Sequence, residues 1–162
     1  MRVAAPTSLQ IRQRRRADDE FIIRLGAQAF AEYDRQPALT MERLVQRGTT
    51  WLALRGDAPL GFACVQSLEQ AHVELCAIAV EEDARGQGIG RALLAHVELA
   101  AARAGQNEIR LHTAQSNLSA FELFLKCGFR LERRMPRFYR GVYDACVLSK
   151  IVGSRGARGG AR

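Results

Sequence analysis

Polar and apolar residues alternate over residues 9–15, the period-two pattern of a half-buried strand. The period then lengthens. Phe21, Ile22, Leu25, Ala29 and Tyr33 recur at helical spacing behind Asp18 or Asp19 as the helix cap, and a shorter helix is predicted over residues 39–47, stopped at Gly48. Residues 49–54 and 60–67 return to strand character, joined by Gly56-Asp57-Ala58-Pro59 as a hairpin turn. A third strand of this central run is predicted over residues 71–80.

Beyond it lies Arg85-Gly86-Gln87-Gly88-Ile89-Gly90, and then a helix over residues 90–104 with Leu93, Leu94, Val97 and Ala101 on one face and Gly105 as its stop. A strand over residues 108–113, a helix over residues 117–126 closed by Gly128, and strands over residues 129–139 and 142–151 complete the chain. The predicted order is β-α-α-β-β-β-α-β-α-β-β. A strand, a turn, a helix and a further strand in succession form a βαβ unit, so part of the sheet should be parallel.

At 162 residues the chain suits one compact α/β domain, here residues 9–152, with residues 1–8 expected to be flexible and residues 153–162 a disordered Gly/Arg-rich basic tail. No apolar run approaches the ~20 residues of a membrane-spanning helix, and the start of the chain lacks a secretory pattern, so a cytoplasmic location without a membrane partner is expected. Cys64, Cys76, Cys127 and Cys146 are scattered, without a histidine at ligand spacing. They read as reduced core residues, and no metal site is expected. Part of the net charge of +7 comes from the tail, and Arg130, Arg133, Arg134, Arg137 and Arg140 form a further basic cluster that would suit an acceptor carrying a carboxylate or phosphate. No nucleic-acid motif accompanies that charge, and direct nucleic-acid binding is not expected.

A strand that ends in a glycine-rich turn opening a helix is suited to an anion, because the first helical amides are unpaired and the helix dipole is positive there. Glycines at 86, 88 and 90 admit a diphosphate to the backbone, and Arg85 and Arg91 add charge. The P-loop pattern fails, because Gly90 is followed by Arg91-Ala92. The G-x-G-x-x-G pattern fails too, because its last position is Arg91 or Leu93.

Arg85, Gly88 and Gly90 fit R/Q-x-x-G-x-G/A, which resembles the coenzyme A pyrophosphate signature of the GNAT superfamily. A second signature of that superfamily, N-x-x-A-x-x-L-[YF]-x-K-x-G-F, is matched by Asn117, Ala120, Leu123, Phe124, Lys126, Gly128 and Phe129. The resemblance implies an α/β (α+β) fold of the GNAT type: a mostly antiparallel sheet of about seven strands, with one splayed parallel pair, flanked by four helices. It implies acetyl-coenzyme A as the cofactor and a primary amine as acceptor, either a protein N-terminus or a small molecule such as an amino acid, polyamine or antibiotic. It further implies that Ala79 and Val80 bond the pantetheine arm, that the segment Arg85, Gly86, Gln87, Gly88, Ile89, Gly90 and Arg91 holds the pyrophosphate, and that Asn117, Phe124 and Lys126 lie along the cofactor. A homodimer is compatible with this fold.

Acetyl transfer needs a neutral amine, stabilisation of an oxyanion and a proton for the departing thiolate. Many superfamily members use a tyrosine as that acid where this chain has Phe124, so the role is either empty or moved. Such a change also admits a second kind of protein, a coenzyme A-binding regulatory module without turnover. His72, Glu74 and Cys76 share one strand face by the period-two rule, and His72 and Glu74 are base candidates together with His112 on the next strand. Of the phenols Tyr139 and Tyr143, Tyr139 ranks first for the acid. The segment of residues 137–145 resembles the late aromatic segment of the ribosomal-protein alanine acetyltransferases. An α-amine with pKa near ~8 is about one-tenth neutral at pH 7 and a lysine less than about one-thousandth, so an α-amine or small amine is the easier acceptor without a tuned base.

Overall fold

The computed structural model describes residues 7–68 and 72–153, and the side chain of Leu68 lies outside that description. The flexible start and basic tail expected from the sequence fall almost wholly outside the described residues. Seven strands and four helices follow in order: β1 (Leu9–Gln13), α1 (Asp19–Phe30), α2 (Pro37–Arg47), β2 (Thr49–Arg55), β3 (Ala58–Leu68), β4 (His72–Val80), α3 (Ile89–Arg103), β5 (Glu108–Ala114), α4 (Leu118–Lys126), β6 (Arg130–Tyr139) and β7 (Tyr143–Ile151). The element order agrees with the sequence pattern.

The strands form one sheet ordered β1-β2-β3-β4-β5-β7-β6, antiparallel throughout except for β4 against β5. Helices cover it in two layers. On one face α3 and α4 bury Leu93, Leu94, Val97, Ala101 and Phe124 against Val65, Val73, Leu75, Ile109, Leu111 and Leu148. On the other, α1 and α2 bury Ile22, Leu25, Met41 and Val45 against Leu52, Phe62, Cys64, Ala77 and Ala79. Each of these large side chains is nearly solvent-free, and truncating one to alanine costs about 2–5 kcal/mol.

Neither expected aspartate caps α1 through its side chain. Asp18 instead takes both guanidinium nitrogens of Arg12, at 2.7 and 3.1 Å, and the amide of Arg15 at 2.7 Å. The arginine holds the Asp18 carboxyl below its usual range, mainly through that hydrogen bond. Asp19 pairs with Arg14, so both carboxylates tie the start of α1 to the end of β1.

Two features of β4 create the space the site needs. Along β3, Cys64 faces Ala77 while Val65 faces Leu75, leaving Cys76 as an extra residue on β4, a β-bulge. The bulge exchanges the faces of the strand: Val73 and Leu75 enter the α3/α4 core, whereas Ala77 and Ala79 enter the α1/α2 core. At the same place the parallel pairing with β5 ends, its last couple being Leu75 and Leu111. From Cys76 to Val80 the β5-facing edge of β4 has no strand partner, while β5 continues to Ala114 paired only with β7.

Candidate functional site

The parted strands open a cavity of about 730 Å³. Its walls include Ile78, Ala79 and Val80 from the free length of β4, the glycine turn before α3, and one side of α4. In the turn, Gly86 and Gly88 adopt φ of 75° and 77°, and a β-carbon on either would meet no atom within 4 Å. Gly88 is the N-cap of α3 and supplies no side-chain acceptor, and the first backbone bond of that helix joins the amide of Ala92 to the carbonyl of Gly88. The amides of Ile89, Gly90 and Arg91 therefore have no partner within the helix. Gly90 also permits close packing, because a β-carbon there would lie 3.1 Å from Cδ2 of Leu123 on α4.

Arg85, Arg91 and Lys126 bring three cations to the wall. Free amides at a dipole-positive helix end, open glycine backbone and converging cations are the donor set that a diphosphate requires, and an unpaired strand edge beside them suits an amide-bearing arm. The residues present thus fit coenzyme A. Eleven of the twelve residues expected along the cofactor line the cavity: Ala79, Val80, Arg85, Gly86, Gly88, Ile89, Gly90, Arg91, Asn117, Phe124 and Lys126. The exception is the Gln87 side chain, which turns away to accept from Arg55 at 2.9 Å. The Val80 carbonyl already accepts from Nε of Arg85 at 3.2 Å, a local tie between the strand and the turn.

Asn117 caps α4, its Oδ1 accepting from the amide of Ala120 at 3.4 Å. Phe124 is buried and packs edge-on against Phe129 at 5.7 Å, so α4 presents no phenol. Sequence reasoning missed Glu32 and Tyr33, which also line the cavity. Periodicity assigned Tyr33 to the apolar face of α1, but that helix ends at Phe30. The amides of Tyr33 and Asp34 then both bond back to the Phe30 carbonyl, a turn that carries Tyr33 to the cavity wall. There its hydroxyl lies 3.1 Å from Oγ of Ser116.

The four residues proposed for catalysis do not line the cavity; they stand on the sheet beside it. Nδ1 of His112 is 3.6 Å from Oε1 of Glu74, and both side chains are about one-third exposed, at 29% and 32%. The imidazole stacks on Phe138 at 5.0 Å with an 11° tilt, and Phe138 meets Tyr139 edge-on at 4.9 Å. Tyr139 in turn packs against Tyr33 at 5.5 Å, which joins this group to the cavity wall. Burial, with the nearby Glu74 charge next, pushes the Tyr139 phenol up to about 12. His72 falls outside the group. It stands in register with Glu108, its Nδ1 3.4 Å from that carboxylate, which Arg110 also clasps.

Strained backbone fixes the Phe138–Tyr139 pair in place. Arg137 and Arg140, on either side of it, adopt φ of 53° and 56°, a left-handed conformation that costs a non-glycine residue about 1–2 kcal/mol. The Arg137 amide is held by Oδ1 of Asp144 at 2.9 Å, and Nη1 of Arg140 reaches the Glu32 carbonyl at 3.2 Å. Two members of the arginine cluster thus brace the loop.

Residues 14–129 match the model of the Acetyltransferase (GNAT) family. The chain is 28% identical over 115 residues to the uncharacterised N-acetyltransferase YvbK of Bacillus subtilis, covering 71% of this chain and 74% of that protein. It is 33% identical over 120 residues to a mycothiol acetyltransferase of Kineococcus radiotolerans, covering 70% of this chain but only 39% of that longer protein. In fold it resembles a ribosomal-protein alanine N-acetyltransferase of Escherichia coli, with a TM-score of 0.74, 21% identity, and coverage of 93% of this chain and 98% of that one. With the family match spanning most of the domain and the cavity suited to its cosubstrate, the chain belongs to the GNAT acetyltransferase family, whose acetyl donor is acetyl-coenzyme A.

Proposed function

We propose that this enzyme acetylates the α-amino group of a protein or peptide N-terminus, using the Glu74–His112 pair to take the proton from the attacking amine. The observation that carries this reading is the openness of that pair. Glu74 and His112 lie about one-third exposed on the sheet, and Phe138 beside them is 44% exposed, so a chain end can approach along the surface without entering a closed pocket. An α-amine also demands less of the base than a lysine amine, since about a tenth of it is already neutral at pH 7.

Bound acetyl-coenzyme A supplies the activated acetyl group as a thioester. The protein's own residues do the rest. The amides of residues 87–91, with Arg85 and Arg91, hold the diphosphate, and the free edge from Cys76 to Val80 aligns the arm. Glu74 orients the His112 imidazole, Phe138 stacks on its face to limit rotation, and the pair accepts the amine proton. Tyr139 keeps its proton throughout the physiological range and walls the pair from the side. A cytoplasmic location belongs to the same reading, supported by four cysteines that all remain unpaired.

A small-molecule amine is the competing acceptor, and the likeness to a mycothiol acetyltransferase is the observation that favours it. A coenzyme A-binding module without turnover is a third reading, favoured by the buried Phe124. One assay separates all three: thiol release from acetyl-coenzyme A in the presence of free peptides, the same peptides with blocked α-amines but free lysines, and a panel of small amines. Turnover only with free α-amines supports the proposal. Turnover confined to small amines replaces it, and cofactor binding without turnover on the whole panel supports the module.

A further inference from the structure

We propose that Tyr33 is the proton donor to the departing thiolate, with Ser116 as its relay to solvent; the proposal rests on the acetyl-transfer reading and deepens it. Among the residues that line the cavity, Tyr33 is the single phenol. Tyr139, the phenol ranked first from sequence, lies outside the lining, and burial together with the Glu74 charge makes it reluctant to release its proton. Phe124 has no proton to give.

The position of Tyr33 along the cavity is set by α4. At one end of that helix Leu123 lies against Gly90 and hence against the turn suited to the diphosphate. Six residues earlier, at a rise of about 1.5 Å per residue, stands Asn117, and its neighbour Ser116 touches the Tyr33 hydroxyl at 3.1 Å. The phenol therefore sits almost two turns of helix, about 10 Å, away from the phosphate end. Arg85 and Arg91, the cations of the glycine turn, belong to that other end. Ser116 is exposed and can exchange protons with water, and Tyr139 and Tyr143 hold the Tyr33 ring at 5.5 and 5.3 Å.

As the thioester carbon–sulfur bond breaks and its electron pair stays on sulfur, Tyr33 gives its hydroxyl proton to that sulfur. The resulting phenolate regains a proton from water through the Ser116 hydroxyl. The amine proton leaves separately, to the Glu74–His112 pair.

The test follows the thiol itself as well as turnover. Coenzyme A is bound to wild type and to Tyr33→Phe, Ser116→Ala and Tyr139→Phe, and the ultraviolet absorbance of the bound thiolate is titrated against pH. Tyr33→Phe should raise the apparent thiol pKa by about one unit, because a donor to the thiolate has been removed, and lower kcat at least about tenfold with little change in KM for acetyl-coenzyme A. Ser116→Ala, which leaves the ring packing intact, should lower kcat without moving the thiol titration, and Tyr139→Phe should leave that titration at the wild-type value. A Tyr33→Phe variant that binds coenzyme A with an unmoved thiol pKa overturns the proposal even if kcat falls, since the loss is then structural. A shift seen with Tyr139→Phe instead returns the role to that residue. If wild type fails to bind coenzyme A, the acetyl-transfer reading itself fails, a result distinct from either of these.

Discussion

His112 is the first residue of β5 beyond its last pairing with β4, and its Nδ1 still lies 3.6 Å from Oε1 of Glu74 on the other strand. The strands part in backbone while these two side chains remain in reach, so the proton acceptor proposed above stands beside the fork of the two strands. Glu74→Gln and His112→Ala should each lower kcat by about 10²-fold or more while leaving coenzyme A affinity close to wild type. The double variant should lose little beyond the worse single one, because the two act as a unit. Steady-state kinetics with calorimetric cofactor binding checks both points, and additive losses would separate the pair into independent groups.

Gly61 is required by the same strand. A β-carbon there would lie 2.7 Å from the Ala79 carbonyl oxygen and 3.3 Å from Cα of Val80, both backbone atoms of β4 that cannot rotate away. Gly61→Ala should therefore push the free end of β4 toward the cavity. We expect a stability loss of about 1–3 kcal/mol in denaturant titration, together with weaker coenzyme A binding. Full stability with wild-type affinity would show that β4 is not held where the cavity requires it.

Much of this architecture can be read from periodicity and from two spaced motifs. The helices and the glycine turn follow from residue type and spacing, because each depends on local backbone chemistry. Eleven of the twelve expected wall residues come instead through the resemblance of the two motifs to a known family. The alternation His72-Val73-Glu74-Leu75-Cys76-Ala77-Ile78-Ala79-Val80 nevertheless gives no sign of the extra residue at Cys76. A strict period would keep Val73, Leu75, Ala77 and Ala79 on one face, and only the pairing with β3 reveals the exchange. Tyr33 was hidden for a related reason, since its place depends on a turn after Phe30 and on partners more than eighty positions away in Ser116 and over a hundred away in Tyr139. His72, Glu74 and His112 were all found as polar residues on adjoining strands. Register assigns His72 to Glu108, whereas His112 reaches Glu74 diagonally from beyond the paired length, Glu74 itself facing Arg110.

Alkaline pH should destabilise the fold through two half-buried groups. Burial pushes the Cys76 thiol from 9.0 to about 12, and the Tyr139 phenol from 10.0 to about 12. Both are neutral when protonated and raised on folding, so their contribution is fully present below the unfolded values and is lost as pH rises toward the folded ones. Unfolding free energy should thus be insensitive to these groups below about pH 9 and fall between about pH 9 and 12. Cys76→Ala and Tyr139→Phe should each flatten part of that decline in denaturant titrations across the range. Cys76 should also resist thiol alkylation at pH 8 in the folded protein, because the reactive thiolate is scarce. Rapid alkylation there, or a decline unaffected by either variant, would contradict this account.

The glycine turn offers a matched pair for isolating its role. Gly88 and Gly105 adopt almost the same left-handed conformation, with φ of 77° and 76°, and a β-carbon on either would meet nothing within 4 Å. They differ in place: Gly88 opens α3 and lines the cavity, whereas Gly105 follows the other end of that helix and is absent from the lining. Replacement by alanine should cost each about 1–2 kcal/mol of stability, since the strain of a positive φ is common to both. The methyl group of Gly88→Ala alone would project into the cavity, where the proposed site for the diphosphate lies. Coenzyme A affinity should therefore fall about tenfold or more in Gly88→Ala, equivalent to ~1.4 kcal/mol, and stay at the wild-type value in Gly105→Ala. Calorimetric binding and thermal melts on the two variants measure these quantities independently. Equal affinity in both variants would detach the turn from the phosphate, however well its sequence matches the family signature.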